Sequence, residues 1–302
     1  MARTLFYCDH HDFPLPPGHK FPLRKYRLLR DRLEADGLFR FEQAPLASAG
    51  TIERAHDPAY VRAFIDGTLP PQILRRIGFP WSPGLVNRTL ASVGGTLSAS
   101  RLSLEHGWGG TLAGGTHHAF RNEGSGFCVF NDLAVAILAL RTEHGVGRAA
   151  VIDLDVHQGD GTALIFEDDP DVLTLSMHGR NNFPFRKQRS KIDVELEDGV
   201  EDEAFVSQLS RVLPRVFEFR PDVIFYQSGV DALASDTLGR LSLTPNGLEL
   251  RDRMVMEAVR EFGAPLVITL GGGYSNPIEA TADAHASTFR MAAAVFGDRE
   301  SG

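Results

Sequence analysis

Short apolar runs alternate along this chain with longer stretches in which apolar positions recur every three or four residues. Residues 4–8, 172–177, 222–227 and 265–270, together with the run Val151, Ile152, Leu154 and Val156, read as strands buried on both faces. Residues 51–54 read as a further short strand. The 3.6-residue pattern predicts helices over 25–38 (ending near Gly37), 57–65 (capped by Asp57) and 83–106. It predicts others over 131–143 (Asn131 near the N-cap, Gly145 past the end), 203–219 and 276–296, with a short one at 161–166. Strands alternating with helices predict an α/β fold: a central, mostly parallel sheet with helices on both faces. No repeat, low-complexity tract or linker interrupts the pattern, so one domain is expected over 1–302.

The stretch from Val151 to Gly161 reads Val-Ile-Asp-Leu-Asp-Val-His-Gln-Gly-Asp-Gly. Alternate side chains of an extended chain share a face, so Asp153, Asp155 and His157 are expected to project the same way. Carboxylates inside an apolar run are costly unless paired, hydrogen-bonded or bound to a cation, which points to a metal. The plain alternative is a helix cap beside a satisfied core histidine. Asp231 follows another buried run in Ser-Gly-Val-Asp, where it is either a functional acid at a strand exit or an N-cap. His117 and His118 are adjacent in a glycine-framed loop and suit one cavity if carboxylates fix their tautomers, with Asp153 and Asp160 as candidates.

Glycines 271–273 leave the backbone free to turn Tyr274 back over the strand ends. They lack the Lys-Ser/Thr ending or spacing of a nucleotide loop. Asp155, His157 and Asp231 would make a three-ligand site with an open position, the pattern of catalytic zinc. Phe127 offers an apolar wall, Phe183 and Phe185 in loop 181–191 an aromatic shoulder, and His10, His11 and His19 in the proline-rich loop 9–22 a rim.

Composition adds limits. A formal net charge of −8 argues against broad nucleic-acid or anionic-membrane binding, and suits a cationic substrate better. Arg180, Arg186, Lys187 and Arg189 read as solvation of a loop. Cys8 and Cys128 make no disulfide framework, no apolar run reaches membrane-spanning length and no signal core follows the start, so a cytoplasmic protein is expected.

Five motifs together resemble the histone deacetylase family of the arginase/deacetylase superfamily: Gly-Gly-Thr-His117-His118-Ala, Gly-Phe127-Cys-Val-Phe-Asn-Asp, Asp153-Leu-Asp155-Val-His157-Gln-Gly-Asp160-Gly, Ser-Gly-Val-Asp231 and Gly-Gly-Gly-Tyr274. They follow the family's order over nearly the whole chain. The resemblance implies a three-layer arginase/deacetylase-like fold and one zinc ion on Asp155, His157 and Asp231. It implies a catalytic set of His117 and His118 backed by Asp153 and Asp160, with Tyr274 as oxyanion donor. It also implies a structural potassium ion near Asp153, Asp155, His157, Ser176 and Met177, and a substrate channel at Gly126, Phe127, Phe183 and Gly272. Gln158 stands where most of the family has a second histidine, as in class IV and bacterial relatives, and strand alternation turns it away from the metal. Residues 180–185 depart from the family's paired-aromatic pattern. The expected reaction is hydrolysis of an acyl-lysine peptide or an acylated small amine such as a polyamine, with oligomeric state left open. An arginase-type ureohydrolase with two manganese ions and a silent acyl-lysine binder are the alternatives.

Overall fold

Ala149–Asp153 (AAVID) and Val223–Gln227 (VIFYQ) are buried at every position, and such runs are at home only inside a sheet covered on both faces. The computed structural model describes residues 2–297; Met1 and residues 298–302, part of the expected single domain, lie outside the described residues. Its strands are β1 (Arg3–Tyr7), β2 (Phe39–Gln43), β3 (Trp108–Thr111), β4 (Ala149–Asp153), β5 (Val172–Gly179), β6 (Ile192–Leu196), β7 (Val223–Gln227) and β8 (Leu266–Thr269). They form one sheet in the order β2-β1-β3-β8-β7-β4-β5-β6, and every pairing is parallel.

The helices are α1 (Arg24–Asp36), α2 (Ala49–Ile52), α3 (Pro58–Ile65), α4 (Pro71–Ile77), α5 (Pro83–His106), α6 (Asp132–His144), α7 (Asp160–Ile165), α8 (Asp202–Glu218), α9 (Pro245–Phe262) and α10 (Ile278–Phe296). Two cores result, one per face of the sheet. Ala150 and Ile152 of β4 pack with Leu29 of α1, Leu209 of α8, Val255 of α9 and Phe289 of α10. Ala149 and Val151 pack with Leu97 of α5 and Leu133 of α6. The layers match the arginase/deacetylase-like expectation.

The caps behave as the sequence predicts. Asp57 accepts from Ala59 N–H at the start of α3, Asn131 Oδ1 accepts from Ala134 N–H at the start of α6, and Gly37 and Gly145 end α1 and α6 in left-handed conformation.

Two expectations fail. Residues 51–54 are no strand: Ser48 accepts from Thr51 N–H and opens the single turn α2, which Glu53 N–H closes onto Ala49. The central strand also stops at Asp153. Beyond it, Asp153 Oδ1 accepts from Asp155 N–H at 3.2 Å and Asp155 Oδ1 from His157 N–H at 2.9 Å, so local side-chain turns alternate with single backbone bonds from Leu154 N–H to Gln227 and from Gly179 N–H to Val156. Asp155 and His157 therefore converge through a loop, not through strand alternation.

Candidate active site

β7 and β8 insert between β3 and β4, so four loops far apart in the chain become neighbours at the carboxyl edge of the sheet. They surround a cavity of about 1280 Å³. At its floor, donor atoms of Asp155, His157 and Asp231 all lie within 4.8 Å of one another, and all three residues are buried. His157 Nδ1 is 3.0 Å from both Asp155 Oδ1 and Asp231 Oδ2. Backbone amides hold the remaining oxygens: Gly272 N–H donates to Asp155 Oδ2 at 2.7 Å, and Val156 N–H to Asp231 Oδ1 at 2.9 Å. Burial opposes a charge on His157, but the two carboxylates outweigh it and lift its pKa to about 10. A donor set that holds a proton between two carboxylates can equally hold a divalent cation, releasing that proton. The residues therefore fit a metal.

Gly272, expected in the substrate channel, lines the cavity and also packs against this set. A Cβ there would stand 1.8 Å from Asp231 Oδ2 and 2.9 Å from Asp155 Oδ2.

Beside the donors, His117 and His118 sit with ring centroids 4.1 Å apart. His117 Nδ1 pairs with Asp153 Oδ2 at 2.7 Å and His118 Nδ1 with Asp160 Oδ1 at 2.6 Å, so the two acids expected behind them are the ones found. Their environments split the pair. Burial, helped by neighbouring His117, lowers His118 to about 4 despite Asp160. Burial acts the same way on His117, but Asp153 and Asp155 override it and raise it to about 9. Two titratable groups pushed in opposite directions are what acid–base chemistry at neutral pH requires.

Tyr274 lines the same cavity. Its backbone N–H donates to Asp236 Oδ2 at 2.6 Å, and Thr237 Oγ1 donates to its carbonyl at 2.8 Å. Burial and then Asp231 push the phenol well above its ordinary pKa, so it stays an O–H donor. Phe127 has φ 65°, a left-handed conformation unusual for a bulky residue. Its N–H donates to Ile77 at 2.8 Å, and that of Gly126 to Arg76 at 3.1 Å. The Phe183 ring stands edge-on to His118 at 5.0 Å. Gln158 faces away as expected, bonding Gln188 and Asp193.

The profile of the histone deacetylase domain matches residues 19–291. The chain belongs to the histone deacetylase family. It is 44% identical, over 98% of its length and all of the relative, to an uncharacterized protein of Picosynechococcus sp.. It is 32% identical to the histone deacetylase-like amidohydrolase of Pseudomonas aeruginosa over 87% of this chain and 74% of that one. With the acetoin utilization protein AcuC of Bacillus subtilis it shares 34% over 76% of this chain and 65% of that one. Among the described residues no helix is long and apolar enough to cross a membrane.

Several residues that shape this family site carry no motif. Lys25 is buried, and its Nζ donates to the carbonyl of Gly271 at 3.1 Å, bracing the loop that carries Tyr274. Burial depresses it to about 8. Its only signal in the sequence is its place on the helical stripe with Leu29 and Leu33. Buried Asp132 accepts from Gly115 N–H (2.9 Å) and Thr116 N–H (2.7 Å), fixing the backbone ahead of His117. Buried Arg251 donates to Gly229 beside Asp231. His10 and His11 lie against each other with tilted rings 4.1 Å apart and do not line the cavity, so their expected rim role fails. His19 bonds the Gly78 carbonyl at 2.8 Å and packs behind Phe127.

Proposed function

We propose that this chain is a zinc-dependent amidohydrolase, one catalytic domain, that removes acetyl or another acyl group from a lysine side chain or related amine. The observation that carries the reading is the joining, in one cavity, of a three-donor metal set with two carboxylate-backed imidazoles of opposite pKa shift. Asp155, His157 and Asp231 would hold the ion, which when bound polarises the acyl carbonyl and makes water a better nucleophile.

The chain's own groups do the rest. Asp160 holds His118 Nδ1–H, leaving Nε2 of a neutral imidazole to accept the proton of the attacking water. Once the oxyanion forms, the Tyr274 hydroxyl donates to it. His117, kept protonated beside Asp153, supplies the proton on the leaving amine. Phe127 and Phe183 with Gly126 would pass only a slender acyl-alkyl chain, and exclude bulk water from the floor. Asp153 pairs with Ser176 in the β4–β5 register, which supports a potassium site at Asp153, Asp155, His157, Ser176 and Met177. Met177 is buried in the core and offers only its backbone there. The ureohydrolase reading needs ligands for a second metal, and Asp153 and Asp160 are already engaged by the histidines. We place the protein in the cytoplasm.

The test is a zinc-loaded preparation on an acetyl-lysine fluorogenic peptide. Turnover that stops with a hydroxamate or a chelator and returns with zinc is expected; hydrolysis untouched by chelation, or none on any acylated lysine or amine, overturns the reading.

A further inference from the structure

The chain is acidic overall, yet the mouth of its cavity is basic. Lys20, Arg75, Arg76, Arg186 and Arg240 are all exposed and all line it. Among the described residues, the carboxylates that line it are Glu123, tied to Arg76, and the buried Asp155 and Asp160, with Asp231 behind His157. Arg240 is paired with Asp198 at 3.1 Å. Lys20, Arg75 and Arg186 have no ion pair among the described residues.

These cations are not scattered over the surface; Lys20, Arg75, Arg76 and Arg186 each neighbour residues against Phe127 or Phe183. Arg75 and Arg76 end α4, whose Arg76 and Ile77 carbonyls hold Gly126 and Phe127. Lys20 lies between His19 and Phe21, whose rings stand 5.7 and 5.4 Å from that of Phe127. Arg186 follows Phe183, the ring against His118, and Phe185, which is 87% exposed. A substrate whose acyl chain reaches the floor must therefore leave the rest of its body among three unpaired cations and a bare aromatic ring. Like charges there cost affinity and slow encounter; opposite charges do the reverse.

We infer that, within the acyl-amine hydrolase reading on which this rests, the preferred substrate carries negative charge outside the channel: an acyl-lysine flanked by acidic residues, not a lysine-rich segment or a polyamine. An acidic substrate runs against the cationic one suggested by net charge, because charge is distributed and not averaged. The charges of Asp155, Asp160 and Asp231 lie at the floor, where the histidines answer them.

Two peptides of equal length with a central acetyl-lysine, one flanked by Asp and Glu and the other by Lys and Arg, test this on the zinc-loaded full chain. The acidic peptide should have the higher kcat/KM by about tenfold or more at low salt, mainly through KM. The gap should close between about 0.01 M and about 1 M salt as the Debye length contracts. Arg75→Glu with Arg186→Glu should invert the order, and Arg75→Gln with Arg186→Gln should narrow it, which guards against a misfolded double reversal. Equal kcat/KM for both peptides, or preference for the basic one, overturns the inference and leaves the hydrolase reading standing. Fluorescence anisotropy of labelled peptides separates the converse: salt-sensitive binding of the acidic peptide with no hydrolysis of either would retain the basic mouth and overturn the hydrolase reading.

Discussion

The floor of the cavity and its mouth are built on opposite principles. At the floor every carboxylate has its partners: Asp155 and Asp231 are gripped by amides from Gly272 and Val156, Asp153 and Asp160 by the two histidines, Asp132 by Gly115 and Thr116. At the mouth three cations lie open to solvent and unpaired. Buried polar groups left unsatisfied are expensive, so each of these carboxylates is held by a partner. Exposed charges cost little to leave free, so the mouth can be tuned to a substrate without disturbing the fold.

The comparison breaks first at the three donors proposed to hold a metal. Asp231→Ala should lose bound zinc and lower turnover by about a thousandfold or more, the several kcal/mol of charge stabilisation a metal supplies. Elemental analysis of the purified variant checks it, and stoichiometric zinc would remove Asp231 from the ligand set. Tyr274→Phe deletes one donor and should lower kcat about a hundredfold with zinc retained; an unimpaired kcat would deny the phenol its role.

Smaller in effect is a stability test beneath the floor. Buried His56 accepts from the N–H of the α6 cap Asn131 at 2.8 Å, and burial lowers it to about 4. Its folded pKa is depressed, so it adds nothing to pH dependence above about 6.5, where both states are neutral. Between about 6.5 and about 4 the unfolded chain takes up a proton the folded one refuses, at a cost of roughly 3 kcal/mol. His56→Gln keeps an acceptor and should reduce the slope of urea-unfolding stability over that window, leaving the share due to His118 and His178, which burial lowers to about 4 as well; an unchanged slope would assign the acid lability elsewhere. Arg186→Glu at the mouth should move stability by less than about 0.5 kcal/mol at any pH in the same titration.

The same contrast governs what could be read from residues alone. The floor is spelled by short motifs at strand exits: His117, His118, Asp155, His157, Asp160 and Tyr274 line one cavity, with Asp153 bonded to His117 and Asp231 to His157 behind it. Buried strands β4, β5, β7 and β8 declare themselves as apolar runs. The edge strands β2 (FRFEQ) and β6 (IDVEL) do not, because their polar positions face solvent. β3 (WGGT) hides behind two glycines whose need is tertiary: a Cβ on Gly109 would stand 2.1 Å from the Ala99 carbonyl, and one on Gly110 2.7 Å from Phe289. Thr51 and Ile52 look like strand because they are β-branched, and a cap three residues earlier decides otherwise. The mouth is illegible because its cations come from three separate segments, and become one surface only when the fold brings the surroundings of Phe127 and of Phe183 to the same cavity.

Phe127 also limits how the passage can be remodelled. Since its left-handed backbone is pinned by Ile77, a β-branched replacement there would have to fight the main chain, while glycine or asparagine would settle into it. Phe183 does not occupy the left-handed region. If the two rings bound an acyl passage as proposed, a smaller side chain at Phe183 meets no left-handed penalty of the kind that governs replacement of Phe127.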